Sequence, residues 1–145
     1  MTALALLLAV LLLAIAALHL AWAAGSTFPA ASERELVRMV VGFKGQERMP
    51  PPAAAVLVAV ALAVAAYVAL ALASLSVWPF WRWSLTFAGM VLAFVFLARG
   101  VAAYLPAWRA RVPQQPFARL DRRYYGPLCL VIGAGFTLLA TGYTG

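Results

Sequence analysis

The chain has 145 residues, of which 66% are hydrophobic and 10% are charged. Soluble proteins have about 45 to 50% apolar and about 25% charged residues, so this composition excludes an ordinary water-soluble globular domain. The formal net charge is +7, but the basic residues lie in short segments between long apolar runs, and we expect no nucleic-acid partner. The single cysteine, Cys129, excludes an internal disulfide and a Cys-x-x-Cys redox pair.

Four apolar stretches predict an all-α, polytopic membrane protein with a single membrane domain over residues 1–145. They cover residues 2–24, 53–77, 84–105 and 126–143. Each is close in length to the ~20 residues that a helix needs to cross the bilayer. We therefore expect an antiparallel bundle of four transmembrane helices. Ala21-Trp22-Ala23 resembles a signal-peptide cleavage site, but no Lys or Arg precedes the long apolar run, so a first span is the preferred interpretation.

The distribution of basic residues predicts the orientation of the chain. Nine basic residues lie in the loops 25–52 and 106–125, against one, Arg82, in the turn between the middle spans. Basic loops remain on the cytoplasmic side, so we expect both loops in the cytoplasm and both termini outside. The bias towards arginine and alanine indicates a bacterial source, and the expected location is the inner (cytoplasmic) membrane.

The first loop contains a pattern typical of a short amphipathic helix at the membrane interface. Ser32 and Glu35 have the spacing of a capping box. An apolar stripe follows and ends at Gly42; it consists of Leu36, Val37, Val40 and Val41. In the second span, Ala55, Ala59 and Ala63 recur every fourth residue, a spacing that allows neighbouring helices to approach closely.

Six side chains near the cytoplasmic ends of the spans form the candidate site. His19 and Arg99 each lie about six residues from the end of their helix, which places both roughly 9 Å deep at 1.5 Å per residue. Trp22 shares a helix face with His19. The complete set is His19, Trp22, Arg99, Asp121, Tyr125 and Cys129.

Each of these polar groups has a structural interpretation beside a functional one. Arg99 lies in an apolar helix, where it must either snorkel to the interface or meet an acid. Three interpretations of Asp121, the nearby acid, remain open: an ion pair with Arg99, an ion pair with Arg122, or a favourable position at the positive end of the helix dipole. For His19 we prefer a hydrogen bond to a neighbouring helix. A nucleophilic Cys129 with His19 as its base is disfavoured.

Two motifs lie at the end of the first span and at the start of the last. The first is His19-Leu-Ala-Trp22-Ala-Ala-Gly25, and the second is Asp121-Arg-Arg-Tyr-Tyr125-Gly-Pro127-Leu-Cys129. Together they resemble motifs of the DUF3995 family of small bacterial membrane proteins. The family has a His-x-x-Trp-Ala-x-Gly-like signature closing its first helix and an Asp-x-x-x-Tyr/Phe-Ser-Pro-Leu-Cys-like signature opening its last. Here a glycine replaces the small hydroxyl residue before the proline. The resemblance implies four spans and no established reaction.

The preferred function is a small noncatalytic membrane protein that serves as an accessory subunit or interaction module of a membrane complex. The alternative is a membrane enzyme or binding protein for a lipid or quinone-like ligand. In it His19 exchanges a proton, Arg99 holds an oxygen and Asp121 orients Arg99 or His19, while Trp22 and Tyr125 line the pocket. Transport has little support, because four spans form a pore only as an oligomer. Expected partners are membrane lipids and either other membrane subunits or further copies of the chain. One His, one Cys and one Asp are an unsupported ligand set, so no metal or other cofactor is expected.

Overall fold

A computed structural model describes residues 1–143, and all regular secondary structure in that range is helical. Its helices are α1 (Thr2–Ala23), α2 (Glu33–Val40), α3 (Pro52–Leu72), α4 (Arg82–Ala102), α5 (Pro106–Arg111) and α6 (Phe117–Gly142). Helix α6 contains a π-helical turn, Asp121–Tyr125, between α-helical segments Phe117–Leu120 and Gly126–Gly142. Helices α1, α3, α4 and α6 are long and apolar enough to span a membrane. The expected all-α architecture with four membrane spans is confirmed.

The four long helices form two hairpins that meet in one core. Helix α1 packs mainly on α3, and α4 packs mainly on α6. The core residues come from the first halves of α1 and α4 and the second halves of α3 and α6, and include Leu12, Leu72, Leu85 and Phe136. Because these halves lie at the same end of the antiparallel bundle, the core is remote from the loop layer, which we define as residues 25–51 and 103–125.

Glycines allow α4 and α6 to approach closely near the loop layer. A Cβ atom on Gly100 would lie 2.6 Å from Leu130, and one on Gly133 would lie 2.7 Å from Leu97. Each helix therefore places a leucine against the glycine of the other, the kind of small-residue contact that drives helix association inside a bilayer.

Helix α2 begins and ends where its sequence signals lie. The Ser32 hydroxyl accepts a hydrogen bond from the Glu35 amide at 3.3 Å, as a helix N-cap does. The helix buries Leu36 and Val37, so it is amphipathic as expected. Gly42 follows it with a φ of +79°, a conformation that favours glycine.

The same glycine brings the two parts of the loop layer together. A Cβ atom on Gly42 would overlap the Phe117 ring at the start of α6. The Gln114 amide donates a hydrogen bond to the Gly42 carbonyl at 3.2 Å. The first loop is thus packed against the second.

Three helix boundaries and the alanine stripe differ from the expectation. Helix α3 ends at Leu72 instead of residue 77, because Ser74 adopts a φ of +58° and the Leu75 amide bonds back to Leu70. Helix α4 ends at Ala102, ahead of the proline that begins α5. Helix α6 starts at Phe117 instead of residue 126. Of the alanine stripe, Ala59 is buried but Ala63 is exposed, so the stripe does not form one contact face.

Candidate functional site

The π-helical turn of α6 carries Asp121 into the interior, where the side chain contacts two other helices. Asp121 is 2% exposed and is the one charged residue that the described part of the chain buries. Its Oδ1 lies 2.5 Å from Nη2 of Arg99 on α4, and its Oδ2 accepts a hydrogen bond at 3.0 Å from the indole nitrogen of Trp108 on α5. The Arg99 guanidinium carbon lies 5.0 Å from the centroid of the Trp108 ring. We call this group the Arg99–Trp108–Asp121 cluster.

The cluster explains how two charges are tolerated near the membrane interior. Of the two ion pairs that the sequence left open, the structure has the one with Arg99. A buried ion pair is best tolerated when its remaining hydrogen-bonding capacity is also satisfied. Trp108 supplies a second partner to the carboxylate, whereas the buried Nη1 of Arg99 has no hydrogen-bond partner among the described residues. The Arg99 side chain is 32% exposed, and stacking on an indole adds a cation–π attraction. The cluster thereby connects α4, α5 and α6.

Pro127 explains why the π turn occurs at this place. A proline inside a helix has no N–H to donate and clashes with the carbonyl four residues earlier. In a π turn the acceptor lies five residues earlier, and the Gly126 amide indeed donates to the Asp121 carbonyl. In this register Pro127 would face the carbonyl of Arg122, which instead accepts a hydrogen bond from the Tyr104 hydroxyl at 3.1 Å. Tyr104 thus replaces the donor that the proline lacks.

His19 and Trp22 make local contacts near the end of α1. The His19 Nδ1 atom is hydrogen-bonded to the Ile15 carbonyl of the same helix at 2.9 Å. The two aromatic rings are 4.8 Å apart. The Trp22 indole donates to the Phe28 carbonyl at 2.7 Å. The expected hydrogen bond from His19 to a neighbouring helix is thus replaced by one within α1.

Tyr125 and Cys129 follow Asp121 along α6. The Tyr125 hydroxyl donates to the Met39 carbonyl at 3.2 Å, and its ring lies 5.9 Å from that of Phe117. This contact ties the end of α2 to α6. Cys129 is a free thiol of intermediate burial, one helical turn beyond Tyr125.

The structure therefore joins only part of the predicted set. Arg99 and Asp121 are in direct contact, whereas the hydrogen bonds of His19 and Trp22 within the described chain go to α1 and the segment that follows it. Sequence reasoning missed Trp108. No pattern within the short helix α5 identifies it, because its contact with Asp121 depends on how the helices pack.

Two open grooves lie in the loop layer beside the cluster. They have volumes of about 750 Å³ and about 500 Å³ and share Gln115, Pro116 and Arg119. None of the six predicted site residues lines either groove. Across residues 1–143, no group of three or more His, Cys, Asp or Glu side chains is placed to hold a metal ion.

Comparison with known proteins identifies one family. No curated protein matches the chain, and no solved structure does so either. The family model described as "Protein of unknown function (DUF3995)" matches residues 12–136. This match includes all four membrane-spanning helices at least in part, together with the Arg99–Trp108–Asp121 cluster. Because it covers most of the chain, the protein belongs to the DUF3995 family.

Proposed function

We propose that this protein is noncatalytic and serves as an accessory subunit or interaction module of a membrane complex. The observation that carries the proposal is that both oxygens of Asp121 are already bound, one by Arg99 and the other by Trp108. A general acid or base must have its proton-transferring atom within reach of a substrate. A carboxylate that is buried and bound on both sides instead holds three helices together.

The remaining polar residues support the same proposal. His19 is bonded to its own helix backbone, and Tyr125 is bonded to the Met39 carbonyl. Cys129 is a lone thiol with no described disulfide partner, and half-buried cysteines commonly serve in packing. Each of these three groups therefore has a structural role that accounts for its position.

The exposed helix surfaces leave room for subunits. Only 22% to 39% of the residues in each spanning window are buried inside the chain, so most of the apolar surface faces lipid, other subunits or a second copy. We propose a multi-pass protein of the bacterial inner membrane with the loop layer in the cytoplasm. The nine-to-one distribution of basic residues between the two sides supports that orientation.

The alternative, a membrane enzyme or binding protein for a lipid or quinone-like ligand built on a His/Arg/Asp cluster, has weaker support. It requires a cavity that His19, Arg99 and Asp121 share. The two grooves are lined by other side chains, and His19 makes its described contacts on α1.

The test is purification from native membranes in nanodiscs, followed by mass spectrometry of bound proteins and small molecules. We expect a stoichiometric protein partner, or a second copy, that His19→Gln and Cys129→Ala both retain. Recovery of a solitary monomer would contradict the proposal. A small molecule that is lost from both His19→Gln and Arg99→Leu would establish the alternative instead. Retained phospholipid does not bear on this test.

A further inference from the structure

The larger groove of the loop layer is strongly basic. It is lined by Arg109 of α5 and by Arg119, Arg122 and Arg123 of α6, together with Tyr104 and Gln115; we call it the arginine groove. The three arginines of α6 have spacings of three and four residues, so they lie on one helix face. No carboxylate lines the groove. The ion pairs among the described residues are Arg34 with Glu47 and Arg99 with Asp121, so the four groove arginines are not neutralised.

The groove lies at the loop-layer end of the spanning helices, where a bilayer around those helices would place its phospholipid headgroups. It opens beside the loop-layer end of α4, whose last residues are Val101 and Ala102. Val101, Tyr104 and Leu105 at this end are all exposed, as is Tyr124 next to Arg123 on α6. Tyrosines concentrate at the interface between hydrocarbon and water. Guanidinium groups thus adjoin an apolar surface along which acyl chains can lie.

We propose that the arginine groove binds the headgroup of an anionic phospholipid. Guanidinium groups bind phosphate oxygens through paired, charge-assisted hydrogen bonds. A volume of about 750 Å³ is in the range of small-ligand sites, and four cations exceed the single charge of one phosphate. The groove therefore favours a lipid with two phosphates, such as cardiolipin, over one with a single phosphate, and disfavours a zwitterionic lipid. The inference is independent of the noncatalytic function proposed above.

The test is lipid binding to the purified full chain in a neutral detergent, measured by native mass spectrometry. The groove variant is Arg109→Gln, Arg119→Gln and Arg122→Gln combined. The control variant is Lys44→Gln, Arg48→Gln and Arg111→Gln combined, which removes the same charge from exposed positions of the loop layer outside both grooves. Both variants should retain the thermal stability of the native protein.

We expect the groove variant to bind cardiolipin about 100-fold more weakly, because each arginine contributes roughly a factor of five near anionic lipid. The control variant should change binding by less than about threefold, because none of its three side chains lines the groove and salt weakens the effect of exposed charges that do not contact the lipid. Equal losses in the two variants, or no loss in either, would overturn the proposal. If the groove variant does not fold, Arg109→Gln alone should weaken binding about fivefold, and unchanged binding would refute the site.

A competition experiment separates a lipid from a soluble phosphate compound. Inorganic pyrophosphate carries two phosphates but has no acyl chains to contact Val101 and Leu105. We expect it to leave bound cardiolipin in place at equal concentration. Displacement at equal concentration would assign the groove to a soluble phosphate ligand and would overturn the lipid proposal.

Discussion

The ion pair between Arg99 and Asp121 predicts that its two single substitutions have unequal costs. The Asp121 side chain is 3% exposed, whereas the Arg99 side chain is 32% exposed. Removal of Arg99 leaves a buried carboxylate with Trp108 as its described partner, while removal of Asp121 leaves a guanidinium that can extend towards water. The loss of Arg99 should therefore destabilise the protein more.

The magnitudes follow from the burial of each partner. Removing one member of a buried ion pair costs about 3 to 5 kcal/mol, and we expect Arg99→Met to fall in this range. Asp121→Asn retains an oxygen that can accept a hydrogen bond from Trp108. Its cost should therefore be about 1.5 to 3 kcal/mol, the value for one hydrogen bond to a charged group. The double variant should cost less than the sum, by a coupling energy of about 0.5 to 3 kcal/mol.

The free energy of unfolding can be measured by adding SDS to mixed micelles of neutral detergent and following tryptophan fluorescence. Arg111→Met is the matched control, because Arg111 lies exposed on α5, and it should change the free energy by no more than about 0.5 kcal/mol. Strictly additive costs for the pair, or a larger cost for Asp121→Asn than for Arg99→Met, would refute the reasoning.

Two further predictions concern the loop layer and use the same unfolding measurement. Gly42 and Gly45 both have a φ of +79°, but only a Cβ atom on Gly42 would meet the Phe117 ring. Gly42→Ala should therefore lower the free energy of unfolding by about 2 to 4 kcal/mol, and Gly45→Ala by about 1 kcal/mol. Equal losses would rule out the contact with Phe117. Tyr104→Phe should cost about 0.5 to 1.5 kcal/mol, because it removes the donor to the Arg122 carbonyl. An unchanged free energy of unfolding would show that water replaces the hydroxyl fully.

The membrane-spanning architecture could be predicted because it depends on run length and composition alone. Apolar runs of about 20 residues and polar loops suffice to identify spans, and the structure has four such helices. The start of α2 could also be predicted, because a capping residue such as Ser32 bonds to a backbone amide within one helical turn. Gly42 likewise marked its end through a local backbone requirement.

The start of α6 could not be predicted, because it depends on a contact with Tyr104 in the turn between α4 and α5. Pro127 indicated a helix that begins near residue 126, since a proline is normally restricted to the first turn. The structure continues the helix back to Phe117 through a π turn. That turn is stabilised by the Tyr104 hydroxyl on the Arg122 carbonyl, a long-range contact that no local pattern shows.

In the candidate site, too, the features that depend on local sequence could be predicted, and those that depend on helix packing could not. The cost of placing a charge in an apolar helix singled out Arg99 and directed attention to Asp121, and the structure pairs them. Trp108 was missed because nothing in its own segment indicates a buried partner. Similar depth also suggested that His19 belongs with these residues, but depth does not determine which helix faces meet, and its described contacts lie on α1.

The contacts of the loop layer bear directly on the proposed lipid site. Trp108 holds α5 to the buried Asp121, Tyr104 holds the end of α4 to the π turn, and Tyr125 holds α6 to the end of α2. The arginine groove is therefore built on segments fixed to the membrane-spanning helices. Because binding costs less when side chains sit on a preorganised backbone, loss of Trp108 should weaken lipid binding even though Trp108 does not line the groove.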